Sequence, residues 1–243
     1  MIPKKIHYCW LSDDEIPENL KRYIESWKIH LPDYELVLWD KKKFDINTVP
    51  WVKEAYESKK YAFAADYIRC HALYYEGGIY MDSDVEVLKS FDDLLNLTYF
   101  IGKENDGELE AATMGAIPSL TFFKKSLEYY KGKHFDPKDK ACLTPLPLIL
   151  KNIADSNFGI KYINGIKEFD FSSQMLQVLP FDFFSPKSLM TKIIEKSDRT
   201  YSIHHFAGSW LTGIHKFKRN LRKLVGNKTM NMAIRLKRFF ISK

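Results

Sequence analysis

The sequence predicts an α/β fold on three observations: short apolar runs alternate with longer helix-forming segments, Gly and Pro mark their junctions, and one apolar run ends in paired carboxylates. "KIHYCW" at 5–10 reads as the first strand, and 18–30 as a helix that Leu31-Pro32 stops. "YELVLW" at 34–39 reads as a second strand. Residues 62–76 have helical composition, and Gly77-Gly78 is a natural C-terminal stop for them. A strand over 79–81 then delivers Asp82 and Asp84. Farther on, 98–103 and short stretches near Val178 and Ile203 read as strands, and 119–130 and 145–154 as helices. No internal repeat or low-complexity linker interrupts the alternation, and 243 residues suffice for one domain with a sizeable core. The economical organisation is a domain over 1–215 and a helical tail over 216–243.

Charge separates the two parts. Of the 37 Lys and Arg, 11 fall in 199–243, where there is no Asp or Glu; the other 26 face 31 acidic side chains in 1–198. Within the tail, Phe217, Leu221, Leu224 and Val225 recur at helical spacing among Lys216, Lys218, Arg219, Arg222 and Lys223. Met232, Leu236, Phe239 and Phe240 repeat the pattern beside Arg235, Lys237 and Arg238. Such a helix suits an anionic membrane surface, and equally suits a solvated position packed on the body. Nucleic acid is not expected as a partner, because no recognised nucleic-acid module accompanies the basic residues. Cys9, Cys70 and Cys142 form neither a CxxC pair nor an even-numbered framework, so neither a zinc knuckle nor a disulfide scaffold is suggested, which fits a reducing compartment. "MIPKKIHYCW" lacks the apolar core of a signal peptide, and no run reaches the roughly 18 apolar residues of a membrane span. The expected location is cytoplasmic, with peripheral attachment to the inner face of the membrane if the tail binds it.

The stretch "YYEGGIYMDSDVEV" at 74–87 carries the chemistry. In an extended segment Asp82 and Asp84 share a face while Ser83 points the other way. Ligands of open α/β sheets bind beyond the carboxyl ends of strands, where this pair falls. Two adjacent carboxylates repel unless a cation sits between them, and oxygen ligands suit Mg²⁺ or Mn²⁺ bridging to substrate phosphates. On the preceding helix Asp66 and Arg69 are three apart and so lie on one face, leading through the Gly-Gly turn towards the same place. A lone D-x-D is common in surface loops, and Asp66 with Arg69 reads equally as an ordinary ion pair.

The stretch "AADYIRCHALYYEGGIYMDSD" at 64–84 resembles the A-x-D-x-x-R-x-x-x-L-x-x-x-G-G-x-Y-x-D-x-D signature of the glycosyltransferase family 32 sugar-binding region, shared with the large clostridial glucosylating toxins. The likeness extends, in the family's order, to "IPKKIHYCW" at 2–10, "YELVLWD" at 34–40, "LPFDFFSP" at 179–186 and "HHFAGSW" at 204–210. It implies a GT-A type, Rossmann-like nucleotide-sugar-binding domain with a mixed central sheet. Carried over by position, Asp82 and Asp84 would hold the metal, with Asp84 the more direct ligand, and Asp66 and Arg69 would bind donor sugar hydroxyls and orient the diphosphate. Tyr8 and Trp10 fall where related enzymes place groups around the nucleotide base. His205, Ser209 and Trp210 would close over the diphosphate, with His205 as the metal's third ligand and His204 as the alternative.

The function so implied is that of a metal-dependent, retaining hexosyltransferase. It would move a sugar from a nucleotide-sugar donor, a UDP-sugar being the first expectation, to a glycan or lipid-linked saccharide in bacterial surface polysaccharide (capsule) synthesis. Two other classes remain open: a non-catalytic, membrane-associated glycan-binding module and a metal-dependent phosphate-ester hydrolase.

Overall fold

The computed structural model describes residues 1–105 and 107–207; the expectations at Ser209, Trp210 and 216–243 lie outside the described residues. In chain order the elements are β1 (Lys5–Cys9), α1 (Glu18–His30), β2 (Glu35–Trp39), α2 (Pro50–Glu57), α3 (Tyr61–Tyr75), β3 (Gly78–Met81), β4 (Val85–Val87), β5 (Tyr99–Lys103), β6 (Leu109–Ala116), α4 (Thr121–Tyr130), α5 (Leu146–Asn157), β7 (Ile160–Tyr162), β8 (Leu176–Val178) and β9 (Ser202–His204). Residues Met1–Phe206 form one compact unit.

The central sheet has the order β2-β1-β3-β6-β5. β1 pairs in parallel with β2 and β3, whereas β6 runs antiparallel to both β3 and β5. One face packs against α1 through Ile6, Ile24, Trp27, Ile79 and Met81. The other packs against α2 to α5 through Trp51, Ile68, Leu73, Tyr80, Met114 and Leu150. The alternation of Ile79, Tyr80 and Met81 between two cores is the strand period of two buried on both sides. The result is the mixed α/β architecture expected from the sequence.

α2, β4, β6 and β7 are the elements the sequence reading did not foresee. β6, "LEAATMGA", lies between two strands and is buried along all eight residues, so it has no polar face to give alternation, and its Leu, Glu, Ala and Met are helix formers. Sheet pairing overrides that propensity.

The turn from α3 into β3 needs both glycines. Gly77 and Gly78 have φ of +65° and +94°, and a Cβ on Gly77 would lie 2.7 Å from the Pro118 ring. The turn is fixed from β1 as well. The fully buried His7 accepts the Trp39 Nε1–H at Nδ1 (3.0 Å) and donates its Nε2–H to the Gly77 carbonyl (2.7 Å). One neutral imidazole therefore ties β2, β1 and the Gly-Gly turn together.

After β3 the chain turns sharply, the Val85 N–H donating to the Asp82 carbonyl (2.9 Å). β4 then pairs antiparallel with β9, and Val85 faces His204. α1 clamps β4 from the side: Trp27 donates its Nε1–H to the Val85 carbonyl (2.7 Å), and Ser26 Oγ accepts the Val87 N–H (2.9 Å). This small ladder carries a distant part of the chain to the end of β3.

Candidate active site

The site is built outward from Arg69, on the sheet-facing side of α3. Its side chain is only 6% exposed and sits over the ring of Tyr80, 4.6 Å from the centroid. One amino group lies 3.2 Å from Asp66 Oδ1 and 3.2 Å from Asp82 Oδ1. The other donates to Asp82 Oδ2 (3.3 Å) and to the Ala111 carbonyl on β6 (2.8 Å). The Tyr80 hydroxyl donates to Asp82 Oδ1 (2.8 Å). The i, i+3 placement of Asp66 and Arg69 thus yields a buried ion-pair network that grips Asp82. Burial pushes the Asp66 carboxyl up to about 7, against the pull of Arg69. Burial also raises Asp82, with Arg69 opposing it.

Asp82 and Asp84 converge, though not by strand alternation. The two residues flank a turn rather than continuing β3, and the turn swings both carboxylates towards β9. There they meet His204: ligand atoms of Asp82, Asp84 and His204 all lie within 4.8 Å of one another. His204 Nε2 is 3.6 Å from Asp84 Oδ1, and its Nδ1 is 3.5 Å from Oε1 of Glu110. Glu110 is fully buried on β6 and also accepts the Ala112 N–H (2.5 Å). Burial alone would lower the imidazole, but Glu110 and Asp84 outweigh it and raise His204 to about 9. In return, the His204 charge holds Glu110 below the usual carboxylate range against its burial.

The expected third ligand, His205, is not in this cluster. Consecutive residues of β9 face opposite ways, and the pairing of Val85 with His204, reinforced by the His205 N–H donating to the Asp84 carbonyl (3.0 Å), turns the His204 side chain inward. His205 instead stacks on Tyr23 of α1, with centroids 4.4 Å apart, and pairs with Glu86 at 2.7 Å. Alternation along β9 separates the two histidines, and it is His204 that faces the carboxylates. Glu110 is the residue that sequence reasoning missed; its one signal was a lone carboxylate inside an otherwise apolar run.

Tyr8 and Trp10 lie at the carboxyl end of β1. Tyr8 packs edge-on against Trp27 (5.4 Å) and lines a cavity of about 480 Å³ with Ile16, Ile24, Lys28 and Leu36. Trp10 donates its Nε1–H to the Asp14 carbonyl (2.7 Å), pinning the loop that follows β1. Among the described residues, no hydrogen bond or ring contact joins either to the carboxylate cluster.

The donor set fits a divalent cation on three counts. Two carboxylates and an imidazole nitrogen match the preferences of Mn²⁺ or Mg²⁺. Two carboxylates, from Asp82 and Asp84, meet the His204 ring at one point while Arg69 is already spent on Asp66 and Asp82. Glu110 lies on the far ring nitrogen of His204, as the outer partner of a metal-binding histidine does. Both oxygens of Asp82 already accept hydrogen bonds, from Arg69 and from the Tyr80 hydroxyl.

The sequence is similar to those of known glycosyltransferases. Residues 17–101 match the family described as "glycosyltransferase sugar-binding region containing DXD motif", a span that includes Asp66, Arg69, Asp82 and Asp84. A mannosyl phosphorylinositol ceramide synthase of Saccharomyces cerevisiae is 33% identical over 140 residues, covering 56% of this chain and 36% of the relative. Inositol phosphoceramide mannosyltransferase 3 of Schizosaccharomyces pombe is 35% identical over 118 residues, covering 47% and 33%. The chain therefore spans about a third of the length of these curated relatives. Among solved structures, the PaToxG glycosyltransferase superposes with a TM-score of 0.48 at 21% identity, over 64% of this chain and 69% of that one.

Proposed function

We propose that this chain, whose residues 17–101 carry the glycosyltransferase sugar-binding region with its DXD motif, is a metal-dependent hexosyltransferase acting on a nucleotide-sugar donor. The observation that carries the reading is the convergence of Asp82, Asp84 and His204 beyond the carboxyl end of β3. Asp84 and His204, with Asp82, would hold Mn²⁺ or Mg²⁺. When bound, such an ion supplies positive charge to a diphosphate leaving group.

The chain's own residues supply the rest. Arg69 fixes the orientation of Asp82 and keeps Asp66 beside it, so the donor sugar meets a preset carboxylate edge. Glu110 holds the imidazole of His204. Tyr8 and Trp10, at the end of β1, would contact the nucleotide base, and by the family resemblance Ser209 and Trp210 would close over the diphosphate. Transfer retains configuration: the acceptor hydroxyl attacks from the leaving-group side and gives its proton to the departing phosphate. The relatives' names favour a mannosyl group, which makes GDP-mannose the first donor to try beside the UDP-sugars. They favour a lipid acceptor with a phosphoinositol head as one member of the glycan or lipid-linked class. The basic segment 216–243 would hold the enzyme at an anionic membrane surface where such an acceptor lies.

The test is a panel of UDP- and GDP-sugars with Mn²⁺, Mg²⁺ or chelator, with and without a lipid-linked acceptor, scored for released nucleotide and transferred sugar. Metal-dependent transfer from one donor, abolished in Asp84→Asn, is the expected result. Release of phosphate from simple esters without sugar transfer would instead identify a hydrolase. Nucleotide binding in calorimetry without turnover on any acceptor would identify a binding module.

A further inference from the structure

The segment 131–145, which joins α4 to α5, is anchored at the end of α3 that carries the site. Phe135 is buried, its ring 5.1 Å from that of Trp51 on α2 and 5.2 Å from that of Phe63 on α3. Glu54 of α2 holds the backbone beside it: Oε2 accepts the Phe135 N–H (2.7 Å), and Oε1 lies 2.7 Å from His134 Nδ1. Trp51 in turn donates its Nε1–H to the Phe63 carbonyl (3.1 Å). Phe63 lies one helical turn before Asp66, so the loop has a fixed seat next to the ion-pair network.

What the loop presents is positive charge. Lys131, Lys138 and Lys140 are exposed, as is Lys59 in the turn between α2 and α3. Among the described residues none of these four forms an ion pair. Lys133 differs, its Nζ sitting 3.2 Å from the centre of the Tyr129 ring. The acidic side chains of the loop are turned to its own backbone: Asp136 Oδ1 accepts the Lys138 N–H (2.8 Å), and Asp139 Oδ1 accepts the Ala141 N–H (2.9 Å). Residues 57–60 and 131–140 together hold six lysines against Glu57, Asp136 and Asp139, although 31 acidic side chains outnumber 26 basic ones over 1–198. Positive charge is therefore gathered on this rim of an acidic body. The rim contains no Arg, whose planar fork suits one tightly held phosphate. Leu143, 38% exposed, is the one large apolar side chain that 131–145 exposes, so the loop has little to insert. Separate ammonium groups on a fixed backbone suit a plane of many phosphates.

We propose that the loop over 131–140, with Lys59 beside it, docks on the anionic headgroup plane of a lipid bilayer. Docking there turns the Asp66 end of α3, and the carboxylate cluster that Arg69 links to it, towards the lipid surface. The inference rests on the charge and the anchoring of the loop. Its test needs neither sugar transfer nor any role for 216–243, so its failure leaves the transferase reading standing.

The test is amine footprinting of the full chain, in which acylation of each lysine is followed by mass spectrometry. Vesicles of phosphatidylcholine with phosphatidylserine should slow acylation of Lys59, Lys131, Lys138 and Lys140, and leave Lys28 on α1, which packs on the other face of the sheet, unchanged. Phosphatidylcholine alone should protect none of them, and high salt should remove the protection. Combining Lys131→Gln, Lys138→Gln and Lys140→Gln should weaken vesicle partition by about fivefold per lysine, about a hundredfold together, with thermal unfolding unchanged. Equal acylation with and without the anionic vesicles would overturn the proposal, as would parental partition of the triple variant. Protection by inorganic phosphate alone would overturn it too, by marking the rim as a site for single ions.

Discussion

Arg69→Met is the perturbation whose consequence the structure specifies most fully. Methionine keeps an unbranched apolar stem but removes the cation that lies within 3.3 Å of both Asp82 oxygens and 3.2 Å from Asp66 Oδ1. It also leaves the Ala111 carbonyl without its 2.8 Å donor. With the Arg69 side chain 6% exposed and that of Asp66 12%, water cannot replace the lost charge. Removing one partner of a buried pair costs about 3–5 kcal/mol, which for a chain of this size lowers Tm by about 6–20 °C. The loss should depend on pH. Burial already lifts Asp66 to about 7 in the folded chain, above its unfolded value near 3.9, so folding takes up a proton and stability declines as pH rises through that window. Without Arg69 the carboxylates rise further, so the deficit of the variant is larger near pH 8 than near pH 5.5. Urea and thermal unfolding at both pH values measure this. Adding Asp66→Asn to the variant should recover part of the loss, because the unpaired charge is then gone. A variant within about 1 kcal/mol of the parent near pH 8 would refute the view that this network is a buried, mutually dependent unit.

Other consequences can be checked independently. Gly115→Ala would place a Cβ 2.1 Å from Cε1 of Phe100, whose ring is stacked on Phe184 and edge-on to Phe91; denaturant unfolding should show a loss of about 1–3 kcal/mol that Phe100→Leu relieves. His7 is held neutral, its value lowered by burial, so the unfolded chain binds the proton first. Stability from this group is complete above about pH 6.5 and falls below it by up to about 1.4 kcal/mol per pH unit, a slope that His7→Gln should remove. In Mn²⁺ titrations followed by calorimetry, His204→Ala should weaken binding at least tenfold and Glu110→Gln by about 10–100-fold, while His205→Ala retains it; the reverse order for the two histidines would return the ligand to His205.

What the sequence made legible was the local part of the site. Asp66, Arg69, the Gly-Gly turn and Asp82 lie within one helix-turn-strand unit, so helical spacing and turn chemistry alone bring them together. What it did not make legible depends on pairings between distant strands. Which of His204 and His205 faces the carboxylates depends on the register of β4 against β9, across more than a hundred residues, and a one-residue slip in that register exchanges the two side chains. Even the convergence of Asp82 and Asp84 comes from the turn that β9 and α1 hold in place rather than from an extended strand.

The same reasoning explains why β6 hid both itself and Glu110. A strand buried on both faces lacks the alternation that announces strands, and "LEAATMGA" reads as a helix by propensity. Yet a carboxylate fully buried in such a strand is costly unless positive charge faces it; the protonated His204 supplies that charge, and a metal ion bound at Nε2 in place of its proton would supply it instead. The expense of Glu110 therefore makes physical sense through the imidazole it holds. β6 thus does two jobs at the edge of the carboxylate cluster: its Ala111 carbonyl fixes Arg69, and its Glu110 fixes His204. Asp82, just past β3, and His204 at the end of β9 are oriented from one strand, so a shift of β6 would disturb both sides of the cluster at once.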